Sequence, residues 1–307
     1  MDNNNLYNML QPDSPDALLK EVGTILYLMD PAFDLTPVNA VFDATVRLFY
    51  GKYPGYQACN TRYHNLFHTT GVFLAMARLI HGAVLNGKNI ADRYILLGLT
   101  AALFHDAGYI QENHDRIGTG AKYSTVHVQR SMDFLEQHAA EHCLSPEEVV
   151  WGRAMILTTD LSVAISEIVF PSLTAEFLGK MLAVADFLAQ MSDRMYLEKL
   201  LFLYQEFKEG GVTLFESETD LLQKTLDFYR FSDQRIRMLL DKTGCFLRLH
   251  FAARWNKPEN LYRIAIEKQK TYLEKILKMP ESDILAQLKR GGVVKELFGE
   301  SSDRSAV

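Results

Sequence analysis

Apolar residues recur at intervals of three and four along most of the chain, which is the spacing of a buried helix face. The stretch over 62–85 follows this spacing. The stretch over 90–105 is apolar nearly all round, which predicts a helix in the centre of the core. The same pattern predicts further helices over 14–29, 36–49, 124–142, 145–159, 171–194, 196–208, 217–230, 232–249 and 259–278. No segment long enough for a strand shows alternating apolar and polar residues. No repeat or linker divides the chain, so the pattern predicts one all-α domain.

The two ends of the chain lack this pattern. We expect residues 1–12 to form a flexible arm and residues 291–307 a mobile tail, with a single compact multi-helix domain over 13–290. Apolar residues make up 48% of the 307, enough to bury a sizeable core. The helices after about residue 200 are less regular, and we expect them to pack over the mouth of the functional site.

The net charge, the N-terminal residues and the longest apolar run exclude some classes of function. The formal net charge is −6, which argues against nucleic acid or an anionic membrane as the main partner. The first residues are polar and acidic, unlike a signal peptide. The longest apolar run, over 95–104, is about ten residues and too short to span a bilayer. These features predict a cytoplasmic protein that acts on a small molecule.

Three histidines and two aspartates stand out on the mostly apolar segments. His64 and His68 are four residues apart, so they lie on one face of a helix. His105 and Asp106 end the central apolar stretch, and Asp186 interrupts a later one. Burying such groups is costly unless they are paired, and a metal ion pairs with them. The alternative is a set of hydrogen-bonded core histidines.

An adjacent His-Asp pair is weak evidence for a metal site by itself, because the chain contains a second one. His114 and Asp115 are also adjacent, but they lie in a polar, glycine-containing loop. We expect no metal there, because the pair follows no apolar helix and has no compatible ligands before or after it.

Four short motifs carry a family resemblance. The segment Tyr63-His64-Asn65-x-x-His68 resembles YHNxxHAxDV, and Phe104-His105-Asp106 resembles FHD. The segment over 157–162 is similar to LATDMS, and Ala185-Asp186 resembles the motif AD. They follow one another in family order between residues 63 and 186. The chain thus resembles the HD superfamily of metal-dependent phosphohydrolases, and within it the class I cyclic-nucleotide phosphodiesterases.

The resemblance implies an HD/phosphodiesterase-like domain with a role for each matching residue. The first metal would be bound by His68, His105, Asp106 and Asp186. Asp106 would bridge to a second metal, and His64 would be the general acid. The implied cofactors are two divalent ions (Mn, Mg, Zn or Fe), with a bridging hydroxide as nucleophile. Asp160 would support the ligands without binding metal.

The chain departs from the family pattern around the second metal and the base. Tyr109 stands where the family has the second histidine of HDxxH. His127 is a candidate second-metal ligand, and the alternative is an ordinary helix histidine. Gln223 and Gln190 are candidates for holding the substrate base. The local match at Gln223 is poor, and the alternative there is a surface glutamine on a helix.

Two neighbours of the histidines are expected to shape the site rather than react. Tyr63 would pack under the imidazoles, and Asn65 would hydrogen-bond a ligand or the backbone.

The leading functional hypothesis is an enzyme. We expect a metal-dependent phosphohydrolase that converts a 3′,5′-cyclic nucleotide to the 5′-monophosphate. The alternatives are another HD phosphohydrolase (a nucleotidase or nucleoside triphosphate hydrolase), a di-iron HD oxygenase, and a non-catalytic sensor that binds a nucleotide or metal.

Overall fold

The central helix of the fold is the one that carries His68. The computed structural model describes residues 3–10 and 14–299. Every residue from His68 to Ala83 of this helix is buried, because nearly all its side chains are apolar and other helices surround it. Asn65 begins the helix by accepting hydrogen bonds from the backbone N–H groups of Phe67 and His68, so the helix starts at Leu66 rather than at residue 62.

The described residues form fourteen α-helices and no strand, which confirms the all-α prediction. Isolated bridges join Tyr50 to Ala58 and Tyr56 to Glu112. The helices are α1 (Asn3–Leu10), α2 (Pro15–Met29), α3 (Thr36–Phe49), α4 (Leu66–Leu85), α5 (Asp92–Phe104), α6 (His127–Gln137), α7 (Pro146–Leu157), α8 (Leu173–Ser192), α9 (Tyr196–Glu209), α10 (Glu218–Leu239), α11 (Thr243–Trp255), α12 (Leu261–Ile276), α13 (Glu281–Ile284) and α14 (Val293–Phe298).

Four helices cover α4. It contacts α8 and α11 most extensively, and α2 and α5 complete its surroundings. Gly82 permits the close approach of α11, because a Cβ there would lie 2.0 Å from the carbonyl oxygen of Phe246. The packing of α4 against α5 and α8 brings together the three segments that carry the candidate ligands.

The break predicted between the helices 217–230 and 232–249 lies at a different place, and the second of them is divided between α10 and α11. Residues 218–239 form the uninterrupted α10, because neither proline nor glycine occurs between residues 230 and 232 to end a helix there. The helix ends before residues 240–242, which connect it to α11. The helix predicted over 124–142 is shorter than expected: α6 ends at Gln137, a 3-10 turn follows, and Cys143 adopts a left-handed conformation with φ of 52°.

The prediction of a flexible N-terminal arm is wrong for residues 3–10. These residues form α1, in which Leu6 and Leu10 are buried. The buried guanidinium of Arg78 donates to the carbonyl oxygens of Leu10 (2.7 Å) and Met9 (2.5 Å). The end of α1 is therefore fixed to the core by apolar burial and by two charge-assisted hydrogen bonds.

The prediction of a mobile tail is wrong for residues 291–298. A 3-10 turn at Arg290–Gly292 leads into α14, and Val293 is buried against α9. The predicted arm residues 1, 2, 11 and 12, and the predicted tail residues 300–307, lie outside the described residues.

No helix within residues 3–10 and 14–299 is both long and apolar enough to cross a membrane.

Candidate metal centre and its cavity

Four side chains from three segments converge on one point. The Nε2 atom of His68 (α4) lies 3.2 Å from Oδ1 of Asp186 (α8) and 3.3 Å from Oδ2 of Asp106. The Nε2 atom of His105 lies 3.3 Å from the same Asp106 oxygen and 4.0 Å from Asp186 Oδ1. The two Nε2 atoms are 3.4 Å apart. The structure thus brings together all four residues for which the sequence predicts first-metal binding.

The end of α5 orients the His-Asp pair. The Nδ1–H of His105 donates to the carbonyl oxygen of Ala102 at 2.8 Å, which turns Nε2 toward the other three groups. Gly108 then allows α6 to approach, since a Cβ there would lie 2.0 Å from the carbonyl oxygen of His127. Gly108 also donates its N–H to Ser131 Oγ and accepts from Arg130 Nε.

The geometry and charge of these groups fit a divalent metal ion. Ligand atoms about 2.1 Å from an ion lie about 3.0–3.4 Å from one another at tetrahedral or octahedral angles. The separations among His68, His105 and Asp106 are 3.3–3.4 Å, and Asp186 completes the group from the side of His68. Oδ2 of Asp106 is buried and has no hydrogen-bond partner. Imidazole with carboxylate suits Zn, Mn or Fe.

The pKa values show that this centre favours a positive charge. Burial lowers the pKa of His68, but hydrogen bonds to Asp106 and Asp186 outweigh it and raise this pKa to about 10. Burial raises the pKa of Asp106, yet His105 and His68 together hold it well below its usual range. A metal ion would supply the charge that a proton on His68 supplies without one.

His64 lies beside the centre and is held by a glutamate from a distant helix. Its Nδ1 atom is 2.7 Å from Oε2 of Glu206, in α9. The other carboxylate oxygen of Glu206 accepts the backbone N–H groups of Arg62 and Tyr63, each at 2.6 Å. The sequence prediction missed Glu206. The available signal was its spacing of four residues from Phe202, which places it on the buried face of α9.

Three aromatic rings form a stack over the centre. The Tyr109 ring stacks on His64, with centroids 4.3 Å apart, and on His127 with centroids 4.4 Å apart. Burial raises the pKa of Tyr109 well above its usual range, so the hydroxyl stays protonated. The ring of Tyr109 thus separates the two imidazoles.

His127 occupies a position from which it could bind a second ion. Its Nδ1–H donates to the carbonyl oxygen of Ser124 at 2.8 Å, and its Nε2 lies 3.9 Å from Oδ1 of Asp106. Burial lowers the pKa of His127, which favours the neutral, ligating form. Asp106 therefore turns one oxygen toward His68 and His105 and the other toward His127.

The supporting residues have specific partners. Tyr63 donates its hydroxyl to Gln190 Oε1 at 2.8 Å, and Gln190 Nε2 lies 3.4 Å from Asp186 Oδ1. Asn65 bonds backbone groups as the cap of α4. Asp160 lines the cavity and accepts from the Ser162 hydroxyl at 2.6 Å.

The prediction that Gln223 holds the substrate base is wrong. Gln223 is exposed on α10 and does not line the cavity, since its helix turns Thr225 and Phe228 inward instead. Gln190 is the candidate amide that does line it.

The centre opens into a cavity of about 430 Å³. Its floor carries His64, His68, Asp106 and Asp186. Its walls come mainly from α9, the connection over 211–217 and α10, as expected for a C-terminal third that packs over the site. This volume lies within the range of about 300–1,000 Å³ typical of small-molecule sites.

The fold and this centre define an all-α protein with a buried cluster of histidine and aspartate at the base of an apolar cavity. A model of the Npun_R2479-like family matches residues 55–236, more than half of the chain, so the protein belongs to that family. The matched region includes all four converging residues as well as His64, His127 and Glu206. No curated protein and no solved structure matches the chain.

Proposed function

We propose that this protein is a metal-dependent phosphohydrolase that cleaves a phosphodiester. The observation that carries the proposal is a cluster of ligand atoms beside an oriented histidine in a shared cavity. His68 Nε2, His105 Nε2 and Asp106 Oδ2 lie 3.3–3.4 Å from one another, and Asp186 Oδ1 lies 3.2 and 4.0 Å from the two imidazole nitrogens. The order of the four sequence motifs supports the same reaction class.

The metal would be held by His68, His105, Asp106 and Asp186, with His127 available for a second ion. Bound divalent ions supply charge neutralisation at phosphoryl oxygens and acidification of water. Tyr63 and Gln190 restrain Asp186 through the hydrogen bonds described above. The chain's own residues thus prepare the centre before any ligand arrives.

His64 would protonate the leaving oxygen. With Nδ1–H donated to Glu206, the protonated ring carries its transferable proton on Nε2. The carboxylate of Glu206 fixes the ring and compensates its positive charge. Stacking on Tyr109 restricts the ring further. The leaving alkoxide takes the proton, and the ring regains one from water.

The charges lining the cavity favour a substrate with a single negative charge. Three carboxylates line it: Asp106, Asp160 and Asp186. The cation that lines it, Lys224, is already paired with Asp220 at 2.8 Å. A triphosphate would meet little positive charge beyond that of the metal, whereas a phosphodiester carries one charge only. A 3′,5′-cyclic nucleotide meets this condition, and the motifs make it the first substrate to test.

The test is hydrolysis by purified protein reloaded with Mn, Mg, Zn or Fe. The panel holds cAMP, cGMP, nucleoside mono- and triphosphates and bis-p-nitrophenyl phosphate. Metal-dependent cleavage of any diester supports the proposal, and cleavage of a cyclic nucleotide to the 5′-monophosphate supports its finer form. The absence of diester cleavage with metal bound would overturn it, and an oxygen-dependent product with iron would favour an oxygenase.

A further inference from the structure

The part of the cavity away from the metal centre is lined by hydrocarbon. Its wall consists of Leu200, Leu203 and Phe207 from α9, Leu214 and Phe215 from the connection, and Phe228 from α10. We call these six residues the apolar wall. Phe207 and Phe215 stack with centroids 5.7 Å apart, which gives the wall a defined shape.

Two polar side chains of α10 beside this wall are already engaged. The hydroxyl of Thr225 donates to the carbonyl oxygen of Leu221 at 2.8 Å. Lys224 Nζ contacts Asp220 Oδ2 at 2.8 Å and the carbonyl oxygen of Leu214 at 2.9 Å. A purine buried against the apolar wall would lose hydrogen bonds to water and gain little in return. Of the two glutamines expected to hold the base, Gln223 faces solvent, and Gln190 is already hydrogen-bonded to Tyr63 and Asp186.

Three of the five exposed residues that line the cavity are apolar, and the other two are Ser162 and Lys224. Leu161, Leu214 and Phe231 line it and are 49%, 70% and 44% exposed. These three residues come from separate segments, yet each presents hydrocarbon to solvent at the same opening. Exposed apolar groups gathered at a cavity mouth are typical of a binding site for an apolar ligand. A hydrocarbon chain longer than the cavity would extend to solvent past Leu161, Leu214 and Phe231.

We infer that the non-reacting ester group of the substrate is a hydrocarbon chain rather than a nucleoside. The inference rests on the proposed phosphodiester hydrolysis and names its substrate class, an amphiphilic phosphodiester. The phosphate lies at the metal centre, and the chain lies along the apolar wall.

A homologous series isolates the contribution of the chain. The substrates are methyl, butyl and octyl p-nitrophenyl phosphate, which share one leaving group. In each, the oxygen of water bonds to phosphorus and the bond from phosphorus to the nitrophenyl oxygen breaks. The products are the alkyl phosphate, p-nitrophenolate and a proton. Full burial of three methylenes corresponds to about a 50-fold gain. We expect kcat/KM to rise at least tenfold from methyl to butyl, and further to octyl.

Matched variants locate the chain. Leu203→Asn and Leu214→Asn place an amide of similar size in the wall, and each is expected to reduce the octyl-to-methyl ratio of kcat/KM by fivefold or more. Leu173→Asn is the control, because Leu173 is 83% exposed and lies outside this cavity. It should leave the ratio unchanged.

A binding measurement separates this inference from the proposed reaction. Methyl-, butyl- and octylphosphonate are titrated calorimetrically into metal-loaded wild-type protein and the same variants. Affinity that rises with chain length, and rises less in Leu203→Asn, supports the hydrocarbon site even if no diester is cleaved. Equal affinities across the series, or a higher kcat/KM for cAMP than for the octyl diester, would overturn it.

Discussion

Nδ1 of His64 and Oε2 of Glu206 lie 2.7 Å apart, although 142 residues separate them in the chain. Glu206 also accepts the backbone N–H groups of Arg62 and Tyr63. One buried carboxylate therefore fixes both the ring and the backbone that precedes α4. This contact defines the orientation in which His64 faces the cavity.

Loss of His64 should depend on the leaving group. His64→Gln is expected to lower kcat about 100- to 1,000-fold for a diester with an alkoxide leaving group, within the usual contribution of a general acid. The effect should be below about tenfold for p-nitrophenolate, which leaves without protonation. Glu206→Gln should show the same selectivity with a smaller loss. Equal losses for both leaving groups would contradict the general-acid role.

Metal content should distinguish the two His-Asp pairs. His105→Ala and Asp106→Ala each remove a converging ligand and should reduce bound metal at least tenfold after reloading and desalting. His114→Ala is the matched control, because its side chain is 80% exposed and pairs with Glu112 in the loop. Inductively coupled plasma mass spectrometry gives the stoichiometry. Retention of metal by Asp106→Ala would disprove the assigned centre.

Removing the middle ring of the stack should affect turnover more than metal binding. Tyr109→Ala frees the rings of His64 and His127 and is expected to lower kcat about tenfold, with bound metal at the wild-type level. Tyr109→Phe keeps both stacking faces and should stay within about threefold of wild type. A loss of metal in Tyr109→Phe would show that the hydroxyl, rather than the ring, is the important group.

The parts of the structure that the sequence predicts are those with local causes. The helix predicted to begin at residue 145 does so because Ser145 and Glu148 form a capping box with reciprocal hydrogen bonds, and both partners lie within one helical turn. The four converging residues are predicted from the sequence because each lies in a short motif on an apolar segment. Glu206 could not be predicted because its partner, His64, lies 142 residues away, and no sequence motif links the two. The prediction for Gln223 is wrong because neighbouring residues of a helix point in directions about 100° apart. A shift of one residue therefore decides whether a side chain of α10 lines the cavity or faces solvent.

The buried arginine should be important for stability. Arg78→Met removes the donor to the carbonyl oxygens of Met9 and Leu10 and to the Tyr262 hydroxyl. Leaving these acceptors unpaired should lower the free energy of unfolding by about 2–4 kcal/mol, as measured by urea denaturation. Arg230→Met is the control, since its ion pair with Asp227 is exposed and should contribute nothing measurable. Equal stability of Arg78→Met and wild type would contradict this account.

A buried histidine pair should make the protein sensitive to acid. The Nδ1 atoms of His81 and His250 lie 2.9 Å apart, and burial lowers the pKa of His81 to about 4. Burial also lowers the pKa of His250, with Arg78 adding to the effect. As the pH falls, the unfolded chain takes up protons on these histidines at a higher pH than the folded chain does. The stability that the neutral pair contributes is therefore fully present above about pH 6.5 and is lost as the pH falls toward 4.

Variants of this pair provide the check. The free energy of unfolding should fall by about 1–3 kcal/mol between pH 6.5 and 4.5, and less steeply in His81→Gln. His114→Gln should keep the wild-type slope, since its ring is exposed in both states. An identical slope in His81→Gln would assign the acid sensitivity to other groups.

The anchoring of α1 also has a consequence for the order of folding. The helix packs on α12, and its end is held by Arg78 of α4, which in turn bonds Tyr262 of α12. A nascent chain emerges from its N-terminus. The residues of α1 are therefore synthesised before α4 and α12, but they have no complete binding surface until α12 has been released. Among the described helices, α1 is made before its partners and reaches its native position after them, so its docking reports that the core has already formed.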